Sequence, residues 1–174
     1  MNNPMLETLF AYDRWANQHL LEECCLLSQE QFEKPLGIGL GNLERTAAHL
    51  VGAMFFFADR LNRVPPRPRF ENDGTTRSPQ QLLEIFQAAE RVLHAAIGRI
   101  VESHPLTDTL NWTSDYNAEP DPKRQFPYEV VLAQMLDHSI HHRQQCIDML
   151  GLLEVDRPTS WHPFEWYNST RTPK

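Results

Sequence analysis

The segment Asp137-His138-Ser139-Ile140-His141-His142-Arg143-Gln144-Gln145 decides how the rest of the chain is read. It lies inside a run from Tyr128 to Leu152 whose apolar residues recur at helical spacing. Val131, Met135, His138, His142, Gln145 and Met149 share one stripe of that helix, which begins near Pro127 and stops at Gly151. His138 and His142 are four positions apart, so they stand one turn above each other on one face. Two imidazoles so placed are half of a metal site. A single histidine among Met and Val reads as a core residue bonded to a neighbour. Two stacked ones are harder to read that way, because buried polar rings without partners are costly.

Outward from this helix, three more amphipathic helices are expected. Asn3-Pro4 opens the first, with Asn as N-cap and Pro at the first helical position, and Leu6, Leu9, Phe10, Ala16, Leu20, Cys24 and Leu27 form its stripe. Ser28 to Gly41, containing Pro35, Gly37, Gly39 and Gly41, reads as a connecting loop. Asn42 caps the second helix, Leu43 to about Asn62, whose core face is Leu43, Ala47, Leu50, Met54, Phe57 and Leu61. Phe55 and Phe56 widen that face, and the run Phe55-Phe56-Phe57 is read as core. Pro65, Pro66 and Pro68 end the helix, and a linker runs to Arg77. Ser78-Pro79-Gln80-Gln81 is a capping box that starts the third helix, which continues to about Ser103.

Between Pro105 and Pro127 the period changes. Thr107 to Thr113 and Arg124 to Phe126 read as two short strands of a β-hairpin around Asn117 to Pro122. Beyond Gly151, the stretch Val155 to Tyr167 is rich in Pro and aromatics and is expected to pack over one end of the bundle. The fold class is therefore all-α, a four-helix bundle with residues 1–174 as one domain. The long linker between the second and third helices permits a crossover in place of simple up-down order.

Bulk properties narrow the function classes. The 174 residues carry a net charge of −7 and no run of Lys or Arg, which excludes a surface built for nucleic acid or an anionic membrane. No signal peptide is recognisable, and the longest apolar run, Leu50 to Ala58, is far short of the ~20 residues that span a bilayer. Cys24, Cys25 and Cys146 make no sensible disulfide framework and read as packing, so a reducing cytoplasm is expected.

A helical site using His138 and His142 needs a further ligand from a facing helix. His49 is the strongest candidate, since it lies beside the core face of the second helix. Three neutral imidazoles leave a metal with its full charge and an open position, the pattern of catalytic and not structural sites. Gln145, one turn beyond His142, is placed to orient that ring or a substrate. His141 points off the ligand face. His19, His94 and His104 read as ordinary helix or loop residues, although His19 is placed to approach the site, and His162 reads as structural. Asp13, Asp59 and Glu129 are the carboxylates considered as a general base.

Leu43-Glu44-Arg45-Thr46-Ala47-Ala48-His49-Leu50-Val51-Gly52-Ala53, followed by His138-Ser139-Ile140-His141-His142-Arg143, resembles the DinB/YfiT-like superfamily of metalloenzymes. Leu9-Phe10-Ala11-Tyr12-Asp13-Arg14-Trp15-Ala16-Asn17 resembles its first helix, so the likeness covers nearly the whole chain. The resemblance implies an up-down-down-up bundle, a homodimer, and a divalent metal held by His49, His138 and His142. The chain departs from the family pattern at Gln144, where Gly is usual, and at Asp137, where Asn often stands. Neither departure removes a ligand, though an acidic neighbour can alter the charge around the site.

The branch of the superfamily that this implies is the thiol S-transferases, in which the metal activates a low-molecular-weight thiol against an electrophilic small molecule. Two rival readings use the same ligands: metal-dependent hydrolysis of an amide or ester, and a non-enzymatic, stress-related metal-binding dimer. Imidazole ligation suits Zn, Ni, Fe, Mn or Cu.

Overall fold

A computed structural model describes residues 3–112, 122–155 and 161–171. Four long helices make the frame: α1 (Pro4–Cys24), α3 (Leu43–Leu61), α4 (Pro79–Ser103) and α5 (Tyr128–Leu152). Two short helices, α2 (Gln29–Glu33) and α6 (Pro163–Arg171), flank them, and β1 (Thr109–Asn111) pairs antiparallel with β2 (Gln125–Pro127). No described helix is long and apolar enough to cross a membrane.

The helix starts follow from capping. Asn3 and Asn42 accept from the backbone N–H groups of Leu6 and Arg45, and Ser78 forms a complete capping box with Gln81. The segment expected as a plain loop contains α2 instead. Ser28 and Gln31 form a second capping box there, and Phe32 is fully buried against the bundle, which stabilises a helical turn that composition alone conceals.

Each of α1 and α3 packs on both α4 and α5, so α1 faces α3 across one diagonal and α4 faces α5 across the other. Helix directions follow from two core clusters. One joins the C-terminal half of α1 (Leu20, Leu21, Cys24) and of α5 (Cys146, Met149, Leu150) to the N-terminal halves of α3 and α4 (Leu43, Ala47, Leu82, Phe86). The other joins Leu6 and Phe10 of α1 and Val131 and Met135 of α5 to Leu61, Ile97 and Ile100 at the far ends of α3 and α4. The molecule is an all-α bundle, and the helix order is up-down-down-up, as the resemblance implied. The parallel pair α3 and α4 needs the long crossover through residues 62–78.

The apolar stripes lie where periodicity puts them, with local exceptions. Leu9 is exposed, because α1 turns that edge to solvent, and Leu21, outside the expected stripe, is fully buried. The hairpin is present but short, and its expected turn falls mostly outside the described residues. The Pro- and aromatic-rich segment packs as expected at Trp161, which is buried in the first cluster and whose carbonyl accepts from the Tyr12 hydroxyl at 2.9 Å. It then continues as α6, with Trp166 tilted against Tyr12 at 6.3 Å.

Candidate metal centre

His49 comes from α3 and the other two histidines from α5, which packs against it. The ligating atoms of His49, His138 and His142 all lie within 4.8 Å of one another. Ring centroids are 5.0 Å apart for His49–His138, 4.5 Å for His49–His142 and 4.4 Å for His138–His142. The Nε2 atoms of His49 and His138 approach to 3.0 Å. Two imidazole nitrogens at that distance accommodate one proton or one cation between them, but not two lone pairs or two N–H groups. Nitrogens ~2.0–2.1 Å from a common tetrahedral ion are roughly 3.4 Å apart, so the 3.0 Å contact is a hydrogen bond through one shared proton, and a slight opening of the pair gives the spacing of two metal ligands.

The protonation states fit as well. His138 is pushed down to about 4 from its ordinary 6.5, first by burial and then by the charges of His142, His49, His141 and Arg69. Its lone pair is therefore retained at neutral pH. His142 Nδ1 lies 2.8 Å from Gln145 Oε1, and because an amide oxygen only accepts, the proton sits on Nδ1 and Nε2 keeps its lone pair. Gln145 Nε2 in turn donates to His141 Nε2 at 2.9 Å. His141 is exposed, as expected, and acts on Gln145 without joining the three converging rings. The three imidazoles can hold a metal ion.

Gly39, in the loop before α3, has a specific place in the site. At φ +57° it packs so close that an added Cβ would stand 2.9 Å from Gln145 Oε1 and 2.6 Å from Thr46 Oγ1. Thr46 Oγ1 meanwhile accepts from Leu40 N at 3.0 Å and donates to Asn42 O at 2.8 Å. The loop is thus fastened to α3 and closes over the amide that orients His142. The triple glycine spacing signalled a turn, not this contact.

A second polar cluster lies one residue further round α5. Arg143 Nη1 donates to Asp13 Oδ1 at 2.6 Å and to Asn17 Oδ1 at 2.8 Å. Asn17 Nδ2 donates to Ser139 Oγ at 2.9 Å, and Ser139 Oγ donates to the Asp13 carboxylate at 2.8–2.9 Å. This ties α1 to α5 and engages Asp13 fully, which removes it as a general base. Asp59 is occupied likewise, accepting from Arg67 Nε at 3.0 Å and Nη2 at 2.9 Å, and Glu129 is exposed at the start of α5.

Beside His49 and His138 a cavity of about 540 Å³ opens between α3, α5 and the hairpin. Its walls include Phe56, Phe57, Trp112 and Phe126, with Arg69 and Gln134 as the other large polar side chains. Only part of the expected aromatic core holds: Phe55 is buried in the bundle, whereas Phe56 and Phe57 also face the cavity, because consecutive helical residues point about 100° apart. The remaining histidines lie apart. His19 Nδ1 donates to Trp15 O (2.9 Å), His104 sits by Asp108 (3.4 Å), His94 is exposed on α4, and His162 N donates to Glu165 at the start of α6. Asp137 is exposed and lines no part of the cavity.

The family model described as "DinB family" matches residues 1–162. No curated protein matches the chain.

Proposed function

This chain belongs to the DinB family, and from that premise we propose that it is a metal-dependent enzyme that joins a low-molecular-weight thiol to an electrophilic small molecule, with His49, His138 and His142 as ligands of a divalent ion. The observation that carries this reading is the convergence of three imidazole nitrogens, two of them in the wall of an aromatic cavity whose described lining contains no carboxylate. When bound, the ion supplies a positive charge that acidifies a thiol brought to it.

The protein's own residues do the rest. Gln145 holds His142 in the tautomer that presents Nε2, and burial keeps His138 unprotonated. The aromatic walls hold an apolar electrophile and keep water from it. As the C–S bond forms, the S–H proton passes to solvent and the leaving group departs with its bonding pair.

The thiol has to come from outside the chain. Cys146 is fully buried and its thiol is pushed up to about 12 by burial; Cys25 is raised by burial and by Glu22; Cys24 is buried in the core. None of them lines the cavity. Hydrolysis is the weaker reading, because a water nucleophile needs a general base. Asp13 and Asp59 are both bound to arginine, and Glu129 is not in the cavity wall.

Elemental analysis of protein purified without added metal tests the centre: bound divalent metal is expected in the parent and none in His138→Ala. Unchanged metal content in that variant would sink the ligand assignment. A panel of electrophiles, assayed for thiol consumption against thiol-independent hydrolysis, tests the reaction. Turnover without thiol would transfer the assignment to a hydrolase. Metal that raises the melting temperature while no member of the panel reacts would leave a metal-binding protein without catalysis.

A further inference from the structure

The surroundings of the three histidines differ on their two sides. The cavity's described lining includes His49 and His138 but not His142. On the His142 side stands the loop between α2 and α3, which meets Gln145 through Gly39. That loop is folded on itself: Leu36 N and Gly37 N donate to Gly41 O at 2.8 and 3.2 Å, and Gly41 N donates to Ile38 O at 2.9 Å. Leu36 and Ile38 pack against the core and hold its base.

Its tip is held by Thr46. This residue is fully buried one turn into α3, and its hydroxyl accepts from Leu40 N at 3.0 Å while donating to Asn42 O at 2.8 Å. The same hydroxyl is the nearest atom to a Cβ built on Gly39, at 2.6 Å, with Gln145 Oε1 next at 2.9 Å. Thr46 stands three residues before His49, so the two rise from neighbouring turns on one side of the helix. The start of α3 does not depend on it, since the Asn42 side chain supplies the cap by accepting from Arg45 N.

The Gln145 amide needs a hold, because its two ends are alike in shape and opposite in chemistry. As it stands, Oε1 accepts from His142 Nδ1 at 2.8 Å and Nε2 donates to His141 Nε2 at 2.9 Å. Turned end for end, Nε2 would donate to His142 Nδ1 and Oε1 would accept from His141. His142 would then carry its proton on Nε2 and present no lone pair there. Both arrangements pair the same atoms, so bonding within this trio does not choose between them. The loop packed against Oε1 opposes the turn.

We propose that Thr46 is a positioning residue of the metal centre: by holding Gly39 against Gln145, it fixes the amide in the orientation that keeps the His142 proton on Nδ1. The inference rests on the three-histidine reading for its purpose, whereas the tautomer is a property of the metal-free protein.

Nitrogen-15 spectra of the imidazoles, recorded on chelated protein at mildly alkaline pH where the rings are neutral, read that tautomer. The parent is expected to show the His142 proton on Nδ1. Thr46→Val keeps the shape, removes the hydroxyl and should give a mixture of both tautomers; Thr46→Ser keeps the hydroxyl and should match the parent. Gly39→Ala disturbs the same contact from the loop side, should also mix the tautomers, and decides the matter if Thr46→Val does not fold. Zinc affinity, measured by competition with a chelator, should fall about tenfold in Thr46→Val and stay within about twofold in Thr46→Ser. On a Gln145→Leu background, Thr46→Val should change it by less than about twofold, because the amide through which Thr46 acts is gone. A hydroxyl that only braces the fold would lower the melting temperature and leave tautomer and affinity as they are, which would overturn the proposal. So would an equal loss of affinity on the Gln145→Leu background. A parent that holds no zinc defeats the ligand assignment instead, and the spectra of the metal-free protein still decide the role of Thr46.

Discussion

The two faces of α5 bear polar clusters of opposite character, one residue apart. Ser139 and Arg143 reach toward α1 and find every partner they need in Asp13 and Asn17. His138 and His142 reach toward His49 and meet atoms of their own kind, 3.0 Å away at the closest. The first cluster is closed: opposite charges and matched donors satisfy each other within the protein. The second consists of three converging imidazoles whose ligating atoms lie within 4.8 Å of one another and can hold a metal ion. Buried polar groups that are already fully paired act on stability, whereas three converging imidazoles can also hold a cation.

Four outcomes would break or sharpen that contrast. The largest is loss of metal. His138→Ala should reduce metal content to background, with far-ultraviolet circular dichroism unchanged, because the ring is only half-buried. Next comes Arg143→Ala, which leaves the Asp13 carboxylate without its 2.6 Å partner. Breaking a buried pair costs about 3–5 kcal/mol, so chemical denaturation should reveal a large loss of stability while the folded fraction still binds metal. If Arg143→Ala instead removed metal and left stability intact, the division between the two faces would be wrong.

A smaller effect is expected at the support of His142. Gln145→Leu removes the acceptor of Nδ1–H and should lower metal affinity about 10–100-fold, measured by competition with a chelator. Gly39→Ala should act in the same direction, because its methyl group would displace the Gln145 amide and sit at a left-handed φ. The smallest effect is a pH dependence of the metal-free protein. The unfolded chain takes up a proton at His138 near the ordinary 6.5, while the folded protein resists until about 4. Between those values the unfolded state carries more protons, so stability should fall as pH drops through the window and be flat above it. His138→Gln should flatten thermal melts recorded from pH 7 to 4.

Much of the fold was legible because amphipathic periodicity and capping are local. Ser78-Pro79-Gln80-Gln81 starts α4 where its capping box requires, and the stripe from Leu82 to Ile100 is buried almost throughout. The helix at Gln29–Glu33 escaped notice because five residues show no period, and its stability comes from Phe32 against the bundle. The pairing of His138 with His142 was legible for the same local reason, as four residues make one turn. Asp13, Asn17, Ser139 and Arg143 were not legible as a unit, since no rule of spacing links residues more than a hundred positions apart.

The sequence by itself determined the helices, their apolar faces and the i,i+4 histidine pair, and it pointed to His49 as a candidate third partner by its place beside the core face of its helix. Tertiary structure alone decided what each polar group meets. It turned Asp13 toward Arg143, set Gly39 against Gln145, and divided the phenylalanines between core and cavity. The reason is physical: secondary structure arises from interactions within a few residues, whereas the partner that satisfies or leaves open a buried donor, acceptor or charge is supplied by whichever distant segment packs against it.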